Sequence, residues 1–270
     1  MSIKLVALDT DGTLLSSQNK ILPSTKEAVK KALEQGIKVV LCSGRPLAGL
    51  EPYMKELGIK GEDQYAVTLN GAITRNANGE MLTHDLVSNE QYRVLTKFAR
   101  EQEVPFNIVS TDSQIITADH DVDYFELLQA WENTAGMLIR QPDEFPDDYE
   151  VAKGCFVGDT ELLNKVEPIL RKEFGEQLYV VRADDHFLEV LNPKVSKGNG
   201  LLELGEKIGI KPKEMAAFGD ERNDISMFDV VGTAIAMGNG SDEAKKHANF
   251  VTASNDDDGI QLAFDKYILQ

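Results

Sequence analysis

Asp9 and Asp11 lie two residues apart in the segment ALDTDGTLLSS, where an apolar run ends and a Gly-Thr turn begins. In an extended chain, side chains at positions i and i+2 point the same way and lie about 6.6 Å apart, so both carboxylates could flank one small tetrahedral group. One could attack while the other handles a proton. Two carboxylates in one pocket repel each other, which predicts either a bound metal ion or a raised pKa for one of them.

A second acidic segment, FGDERND at residues 218–224, contains Asp220 and Asp224, and Asn223 lies beside them at the start of a predicted helix. Carboxylate-rich sites of this kind suit Mg²⁺, a hard cation that takes a few carboxylate or carbonyl oxygens and keeps several waters. Of the two alternatives, a bound metal ion would therefore be Mg²⁺ as a cofactor.

Lys197 begins a predicted helix over 197–209, and a lysine at a helix N-terminus is electrostatically unfavourable. A solvent-facing lysine is one explanation. The other is a lysine placed over two aspartates and a phosphate, which would stabilise it while it neutralises charge on the nucleophile. Arg45, in the segment SGRP, could serve similarly.

Short apolar runs that are typical of buried parallel strands alternate with segments of helical periodicity. Ser24 or Thr25 is expected to cap the first helix, and Gly36 to end it. Asn78-Gly79 predicts a hairpin within 72–82. The first elements are predicted as a strand at 3–8, a helix at 25–36, a strand at 37–42 and a strand at 65–71.

Between residues 84 and 191 the pattern changes to mixed helices and antiparallel-looking strands, and the first pattern resumes after NPKVSKG. This order predicts an α/β fold: a doubly wound, Rossmann-like parallel-sheet core formed by 1–83 and 192–270, interrupted by an inserted α+β domain at 84–191.

Four predicted core strands end in an oxygen-bearing side chain: Asp9, Ser43, Asn70 and Asp220. Turn and capping chemistry would explain Ser43 or Asn70 taken singly. Because ligands of open α/β sheets bind outside the carboxyl ends of the strands, the joint pattern predicts a site there.

The chain has 45 acidic and 28 basic residues, a formal charge of −17 that opposes binding to nucleic acid. The N-terminal apolar run IKLVAL is too short for a signal peptide or for a membrane span of about 20 residues. We therefore expect a cytoplasmic protein without a nucleic-acid or membrane partner, and by default a monomer, with an oligomer left open. Cys42 and Cys155 are expected to be buried, reduced thiols.

The segments DTDGT (9–13) and CSGR (42–45), then Lys197 and then GDERND (219–224) resemble, in this order, the four motifs of the haloacid dehalogenase superfamily. The long insertion resembles the larger cap of its Cof-type branch, and the chain is similar throughout to the YidA-like sugar phosphatases. The resemblance spans nearly all 270 residues.

This resemblance implies a role for each motif residue. Asp9 would attack phosphorus and form an aspartyl-phosphate, and Asp11 would protonate the leaving alkoxide and later take a proton from water. Mg²⁺ would be held by Asp9, the main-chain carbonyl of Asp11, and Asp220. The phosphate would be bound by the Thr10 amide, Ser43, Gly44, Lys197 and Asn223. Asp224, Arg45 and Asn70 would support these residues, with Asp224 orienting Lys197 or a metal-bound water.

The expected function is Mg²⁺-dependent hydrolysis of a small phosphorylated metabolite, such as a sugar phosphate, with flavin or pyridoxal phosphate as other candidates. The presence of Asp11 favours phosphate esters over carbon–halogen bonds, because an alkoxide needs a proton to leave and a halide does not. A phosphomutase or phosphotransferase on the same scaffold is an alternative, since water exclusion chooses the acceptor.

A non-catalytic phosphate-binding regulator would be expected to lack at least one of Asp9, Asp11, Lys197 or Asp220, and all four are present. The inserted domain is expected to choose the substrate. Tyr124, Trp131 and Phe187 could face the cleft or could be ordinary core residues of that domain.

Overall fold

A computed structural model describes residues 2–183 and 185–269 of the chain. Its strands are β1 (Leu5–Leu8), β2 (Lys38–Cys42), β3 (Tyr65–Thr68), β4 (Ile73–Asn76), β5 (Met81–His84), β6 (Val87–Ser88), β7 (Phe106–Ser110), β8 (Ile115–Thr117), β9 (Met137–Ile139), β10 (Glu150–Val157), β11 (Tyr179–Arg182), β12 (Phe187–Leu191), β13 (Met215–Gly219), β14 (Thr233–Ala236) and β15 (Phe250–Val251). Its α-helices are α1 (Pro23–Glu34), α2 (Leu47–Leu57), α3 (Asn89–Glu101), α4 (Tyr124–Glu132), α5 (Thr160–Phe174), α6 (Lys197–Ile208), α7 (Ile225–Phe228), α8 (Asp242–His247) and α9 (Gly259–Ala263).

The chain divides into two compact units. The first comprises Met1–Arg45, Leu50–His84 and Ser196–Gln270, and the second comprises Pro46–Gly49 and Asp85–Val195. The sequence predicts the corresponding borders at 83/84 and 191/192. Asn192 belongs with the second unit because its Nδ2 donates a hydrogen bond to the Leu86 carbonyl (3.0 Å), which ties the two connecting segments together.

The first unit contains an eight-stranded sheet in the order β15-β14-β13-β1-β2-β3-β4-β5. All neighbours from β15 to β3 are parallel, and β4 and β5 add an antiparallel edge. Every residue of β1, β3 and β13 is buried, as expected for strands covered on both faces. The predicted α/β class with a doubly wound core is confirmed.

The predicted cap of the first helix is wrong, because α1 begins at Pro23 and its N-cap is Leu22, which makes no side-chain capping bond. Proline suits the first helical position, where its fixed φ is helical and its missing N–H has no partner to lose. Ser24 instead donates from Oγ to Asp258 Oδ1 (2.5 Å). Gly36 follows the helix in a left-handed conformation, with φ of 78°.

The third strand is shorter than predicted: β3 ends at Thr68, and Leu69 and Asn70 adopt left-handed conformations with φ of 53° and 58°. A short 3-10 helix over Leu69–Gly71 makes the turn. Gly71 allows this turn to lie close to Ser196, because any Cβ at position 71 would lie 2.1 Å from the Ser196 carbonyl oxygen. The chain turns at Asn70 because its backbone must pass directly under the start of α6.

The second unit contains a seven-stranded sheet in which β11-β12-β10-β7-β8-β9 follow one another and β6 also pairs with β10. The antiparallel pairing expected for this region is present between β10 and β12, β10 and β7, β11 and β12, and β7 and β8. The sequence does not predict β6 or β9; β6 pairs antiparallel with β10, whereas β9 pairs parallel with β8. One face of the sheet carries an aromatic core that includes Tyr92, Phe98, Phe106, Phe156 and Phe174.

Both cysteines are buried free thiols, as predicted. Within residues 2–183 and 185–269, no helix combines the length and the apolar character needed to cross a membrane.

Candidate active site

Asp9 leaves β1 directly, and its backbone N–H donates to the Phe218 carbonyl of β13 (3.1 Å). The loop then closes in one wide turn, with hydrogen bonds from Leu14 N–H to the Asp9 carbonyl (3.2 Å) and from Leu15 N–H to the Thr10 carbonyl (2.9 Å). This turn keeps the Asp9 carboxylate buried at 8% exposure, whereas the side chain of Asp11 is 56% exposed.

Lys197 is the first residue of α6 and is almost completely buried. Its Nζ donates to Asp9 Oδ1 (2.5 Å) and to Asp224 Oδ1 (2.7 Å). A solvent-facing lysine is therefore excluded, and the two carboxylates explain why a cation is stable at this helix start. Gly198 allows the approach, since a Cβ there would lie 2.0 Å from the carbonyl oxygen of Ser226.

Asp224 lies in a short 3-10 helix, Arg222–Asp224, that precedes α7. Its Oδ2 accepts hydrogen bonds from the backbone N–H groups of Asp220 (2.9 Å) and Glu221 (3.0 Å), while its Oδ1 accepts from Lys197. Both oxygens of Asp224 are thus engaged within the protein. The residue fixes the loop after β13 and points the lysine at Asp9.

Asp9, Asp220 and Asp224 form a buried cluster in which one carboxylate oxygen of each lies within 4.8 Å of the others. Asp220 Oδ1 accepts a hydrogen bond from Thr13 Oγ1 (2.8 Å). Among the residues that the structure describes, no donor engages Oδ2 of Asp9 or Oδ2 of Asp220. These two oxygens are the ones that remain for a divalent cation, a hard ion that binds carboxylates.

Burial and neighbouring charges shift the pKa values of Asp9, Asp220 and Lys197 in this cluster. Burial raises the pKa of Asp9 well above its usual range, and the Asp224 carboxylate raises it further. Burial also raises the pKa of Asp220 to about 6. Burial alone would lower the pKa of Lys197, but Asp224 and Asp9 raise it above its usual value, so the lysine is charged. One lysine faces three aspartates, and a divalent cation would balance the remainder.

A second loop follows β2 and carries Ser43, Gly44 and Arg45. Ser43 is buried, its Oγ accepts from the Arg45 N–H (3.3 Å), and its carbonyl accepts from the Asn70 N–H (2.9 Å). Asn70 Oδ1 in turn accepts from Asn223 Nδ2 (3.5 Å). The left-handed turn at Asn70 therefore connects the loop after β2 with the loop after β13.

Arg45 binds the exposed Asp11 with both arms of its guanidinium, from Nε to Oδ2 (3.0 Å) and from Nη2 to Oδ1 (2.8 Å). Asp9 and Asp11 are thus held by different cations, one buried and one partly exposed. The Thr10 hydroxyl is buried and has no hydrogen-bond partner among the described residues.

Sequence reasoning did not select Thr13 or Asn239. Thr13 orients Asp220 as described, and Asn239 Nδ2 donates to the Gly12 carbonyl (2.8 Å), which holds the first loop from the side of β14. The threonine directly after Asp11-Gly12 was a usable signal. Asn239 follows β14 among ordinary loop residues, and nothing in the sequence marks it.

Comparison with known proteins agrees with this geometry. The family model that describes haloacid dehalogenase-like hydrolases matches residues 6–264. The chain belongs to this family. A haloacid dehalogenase-like hydrolase from Bacteroides thetaiotaomicron is 32% identical, with a TM-score of 0.88 over 98% of this chain and 99% of that one.

Two further relatives are phosphatases. The 5-amino-6-(5-phospho-D-ribitylamino)uracil phosphatase YwtE of Bacillus subtilis is 26% identical over 98% of each chain. A subclass IIB sugar phosphatase is 25% identical, with a TM-score of 0.78 over 98% of each chain. This member of the family is accordingly a phosphatase of small phosphomonoesters, and its buried aspartates are suited to a divalent metal ion.

Proposed function

We propose that this phosphatase hydrolyses sugar phosphates with Mg²⁺ as its metal and with Asp9 as the nucleophile. The observation that carries the proposal is the buried Asp9 carboxylate, which Lys197 holds through Oδ1 and which lies in one cluster with Asp220 and Asp224. The likeness to a subclass IIB sugar phosphatase supports the substrate class.

The buried carboxylates fit the proposed metal ion. Asp9 and Asp220 would hold Mg²⁺ together with the main-chain carbonyl of Asp11, whereas Asp224 has both oxygens occupied and acts by orienting Lys197. When bound, Mg²⁺ supplies charge neutralisation for the phosphoryl group.

Asp9 forms a bond from a carboxylate oxygen to phosphorus while the bond from phosphorus to the ester oxygen breaks. Asp11, protonated from solvent, gives its proton to the departing alkoxide. In the second half of the reaction, water attacks the same phosphorus, Asp11 takes a proton from it, and the bond between Asp9 and phosphorus breaks to release phosphate.

The remaining predicted residues bind the phosphate oxygens. The Thr10 and Gly44 backbone amides, the Ser43 hydroxyl, the Lys197 ammonium and the Asn223 amide are the proposed donors. Asn70 holds two of them in place through its bonds to Ser43 and Asn223. Preorganised donors of this kind stabilise charge that develops in the transition state.

Measuring inorganic phosphate released from a panel of sugar phosphates and from p-nitrophenyl phosphate, at fixed Mg²⁺, tests the proposal. We expect Asp9→Asn to lower hydrolysis of every ester by about a thousandfold or more. Asp63→Asn, which changes an exposed aspartate paired with Lys38, is the matched control and should hydrolyse like the wild type.

Substantial activity in Asp9→Asn would rule out the covalent intermediate. Phosphotransfer to an alcohol without release of phosphate would show that the protein is a phosphotransferase and not a hydrolase. Hydrolysis of p-nitrophenyl phosphate alone would remove sugar phosphates as the substrate class.

A further inference from the structure

The pair formed by Arg45 and Asp11 is unusual for two residues at a reaction centre. Both carboxylate oxygens of Asp11 accept hydrogen bonds from one guanidinium, at 2.8 and 3.0 Å. In this geometry both oxygens of Asp11 are directed at the guanidinium and not at a leaving group. Asp11 must leave Arg45 before it can act on an ester.

The surroundings of the pair allow such a rearrangement without movement of the backbone. The loop that carries Asp11 is held by the hydrogen bond from Asn239 to the Gly12 carbonyl (2.8 Å). The backbone of Arg45 is held by its N–H bond to Ser43 Oγ and by its carbonyl, which accepts from Leu69 N–H (3.0 Å). The side chains themselves are partly exposed, 26% for Arg45 and 56% for Asp11.

The charges indicate what would separate the pair. Lys197 is engaged by Asp9 and Asp224 inside the protein, whereas Arg45 is partly exposed and can turn from Asp11 to an incoming dianion. A guanidinium presents two parallel N–H groups that match phosphate oxygens as well as carboxylate oxygens. Arg45 is fixed two residues beyond Ser43, which is itself a proposed phosphate donor.

We propose that the guanidinium of Arg45 passes from Asp11 to the phosphate group of the substrate, and that this exchange frees Asp11 for proton transfer. The empty site keeps Asp11 paired and unable to donate. An occupied site uses the same arginine to hold phosphate. This inference rests on the proposed function and adds to it a competition between Asp11 and phosphate for one cation.

A double-mutant cycle with inorganic phosphate as the probe tests the exchange. The dissociation constant of phosphate is measured by titration calorimetry at fixed Mg²⁺ for wild type, Asp11→Ala, Arg45→Gln and the double variant. We expect Asp11→Ala to tighten phosphate binding about tenfold and Arg45→Gln to weaken it about tenfold or more, because one charge-assisted interaction is gained or lost. In the Arg45→Gln background, the tightening by Asp11→Ala should largely disappear.

Simple charge repulsion makes the opposite prediction. If Asp11 acted only by repelling phosphate, Asp11→Ala would tighten binding at least as much without Arg45, and that result overturns the proposal. So does unchanged phosphate binding in Arg45→Gln, or weaker binding in Asp11→Ala alone. The exposed pair Arg93–Asp147 (3.2 Å) supplies matched controls, since Arg93→Gln and Asp147→Ala should leave the phosphate constant unchanged.

Wild-type hydrolysis of p-nitrophenyl phosphate is measured in parallel and keeps the two hypotheses apart. If Asp11→Ala tightens phosphate binding equally with and without Arg45 while the wild type hydrolyses the ester, only the proposed exchange is rejected. If the effect of Asp11→Ala on phosphate binding depends on Arg45 but the wild type hydrolyses no ester, the proposed function is rejected. The exchange then remains as a property of a phosphate-binding site.

Discussion

Gly12 lies where the first loop passes close to the carboxylate of Asp220. Its φ is 77°, and a Cβ at this position would lie 2.3 Å from Asp220 Oδ2, the oxygen that is free for a metal ion. Two demands therefore meet at one residue, a left-handed backbone and an absence of side-chain atoms. Only glycine satisfies both without displacing the carboxylate.

The alanine variants of Gly12 and Gly36 distinguish the effect of the left-handed backbone from the effect of the close approach to Asp220. Gly36 has nearly the same φ, 78°, but a Cβ there would have no neighbour within 4 Å. We expect Gly12→Ala and Gly36→Ala each to lose about 1 kcal/mol of unfolding free energy to backbone strain. Gly12→Ala alone should lower kcat/KM, by about a hundredfold, because Asp220 is displaced.

Urea denaturation and hydrolysis of p-nitrophenyl phosphate measure the two effects for each variant. Equal activity in the two alanine variants would show that the close approach at Gly12 has no catalytic importance.

Glu126, on α4 of the second unit, is a buried carboxyl with a raised pKa. It is fully buried, and its Oε2 accepts from the Asp123 backbone N–H (3.1 Å) in the capping box of the helix. Burial raises the pKa of Glu126 to about 7, although the Asp123 N–H opposes the shift. The folded state therefore keeps a proton that the unfolded state loses near pH 4.

This pKa difference predicts a pH-dependent stability. Between about pH 4 and pH 7 the folded state binds the extra proton, so the free energy of unfolding should fall as the pH rises, and the slope should end above pH 7. Glu126→Gln imitates the protonated form, so its advantage over wild type should grow across this interval to about 3 kcal/mol. Glu90→Gln, in the first turn of α3, is the control and should show no such trend.

Urea denaturation at half-unit pH steps checks the effect. A stability difference between Glu126→Gln and wild type that does not change from pH 4 to pH 7 would contradict it.

At the scale of elements, β10 and β12 are joined by a buried ion pair. Lys153 donates to Glu189, and both side chains are 7% exposed. Glu189 pairs with Cys155 across the two strands, so Lys153, two residues earlier, lies on the same face of the sheet. The second oxygen of Glu189 is buried without a hydrogen-bond partner among the described residues.

Removing one partner of this pair should lower the free energy of unfolding strongly, whereas removing both should lower it little. We expect Lys153→Met to lower the free energy of unfolding by about 3–5 kcal/mol, because it leaves a buried carboxylate unpaired. The double variant Lys153→Met with Glu189→Leu should recover most of that loss. Arg93→Gln, which breaks an exposed pair, should cost no more than about 1 kcal/mol.

Urea denaturation of all four proteins measures these costs. If the double variant is as unstable as Lys153→Met, the lost stability comes from the absence of the ion pair and not from an unpaired Glu189 carboxylate.

Four strands of the first unit, β1, β2, β3 and β13, could be predicted because each is a local apolar run that a polar side chain follows closely. Contacts between distant residues are a different matter. Asp9 and Lys197 are 188 positions apart, and no spacing rule joins them; the motif resemblance placed both in one site. The left-handed turn at Leu69 and Asn70 escaped prediction because its cause, the approach of Gly71 to Ser196, is equally non-local.

The short strand β9 was missed for a similar reason. Its three residues carry no periodicity of their own, and its strand character comes from pairing with β8, as between Met137 and Ile115. Arg45 was selected as a possible neutralising cation, but the sequence could not show that its partner is Asp11.

At the scale of the whole molecule, the formal charge of −17 repels an approaching anionic ligand before the ligand reaches the cations of the site. The local cations Lys197 and Arg45 operate at contact distance. The net charge operates over the Debye length, which is about 30 Å at 10 mM salt and about 8 Å at 150 mM. Salt therefore separates the two influences, because it suppresses long-range repulsion while a buried lysine is screened much less.

We expect kcat/KM for a sugar phosphate to rise about two- to threefold when KCl is increased from 10 to 150 mM at fixed Mg²⁺, with kcat unchanged. The reason is that kcat/KM includes the encounter of a dianion with an acidic protein, whereas kcat begins from the bound complex. Steady-state kinetics with the sugar phosphate that is hydrolysed fastest measures both constants. A fall in kcat/KM would instead mean that the cations of the site dominate the approach of the substrate.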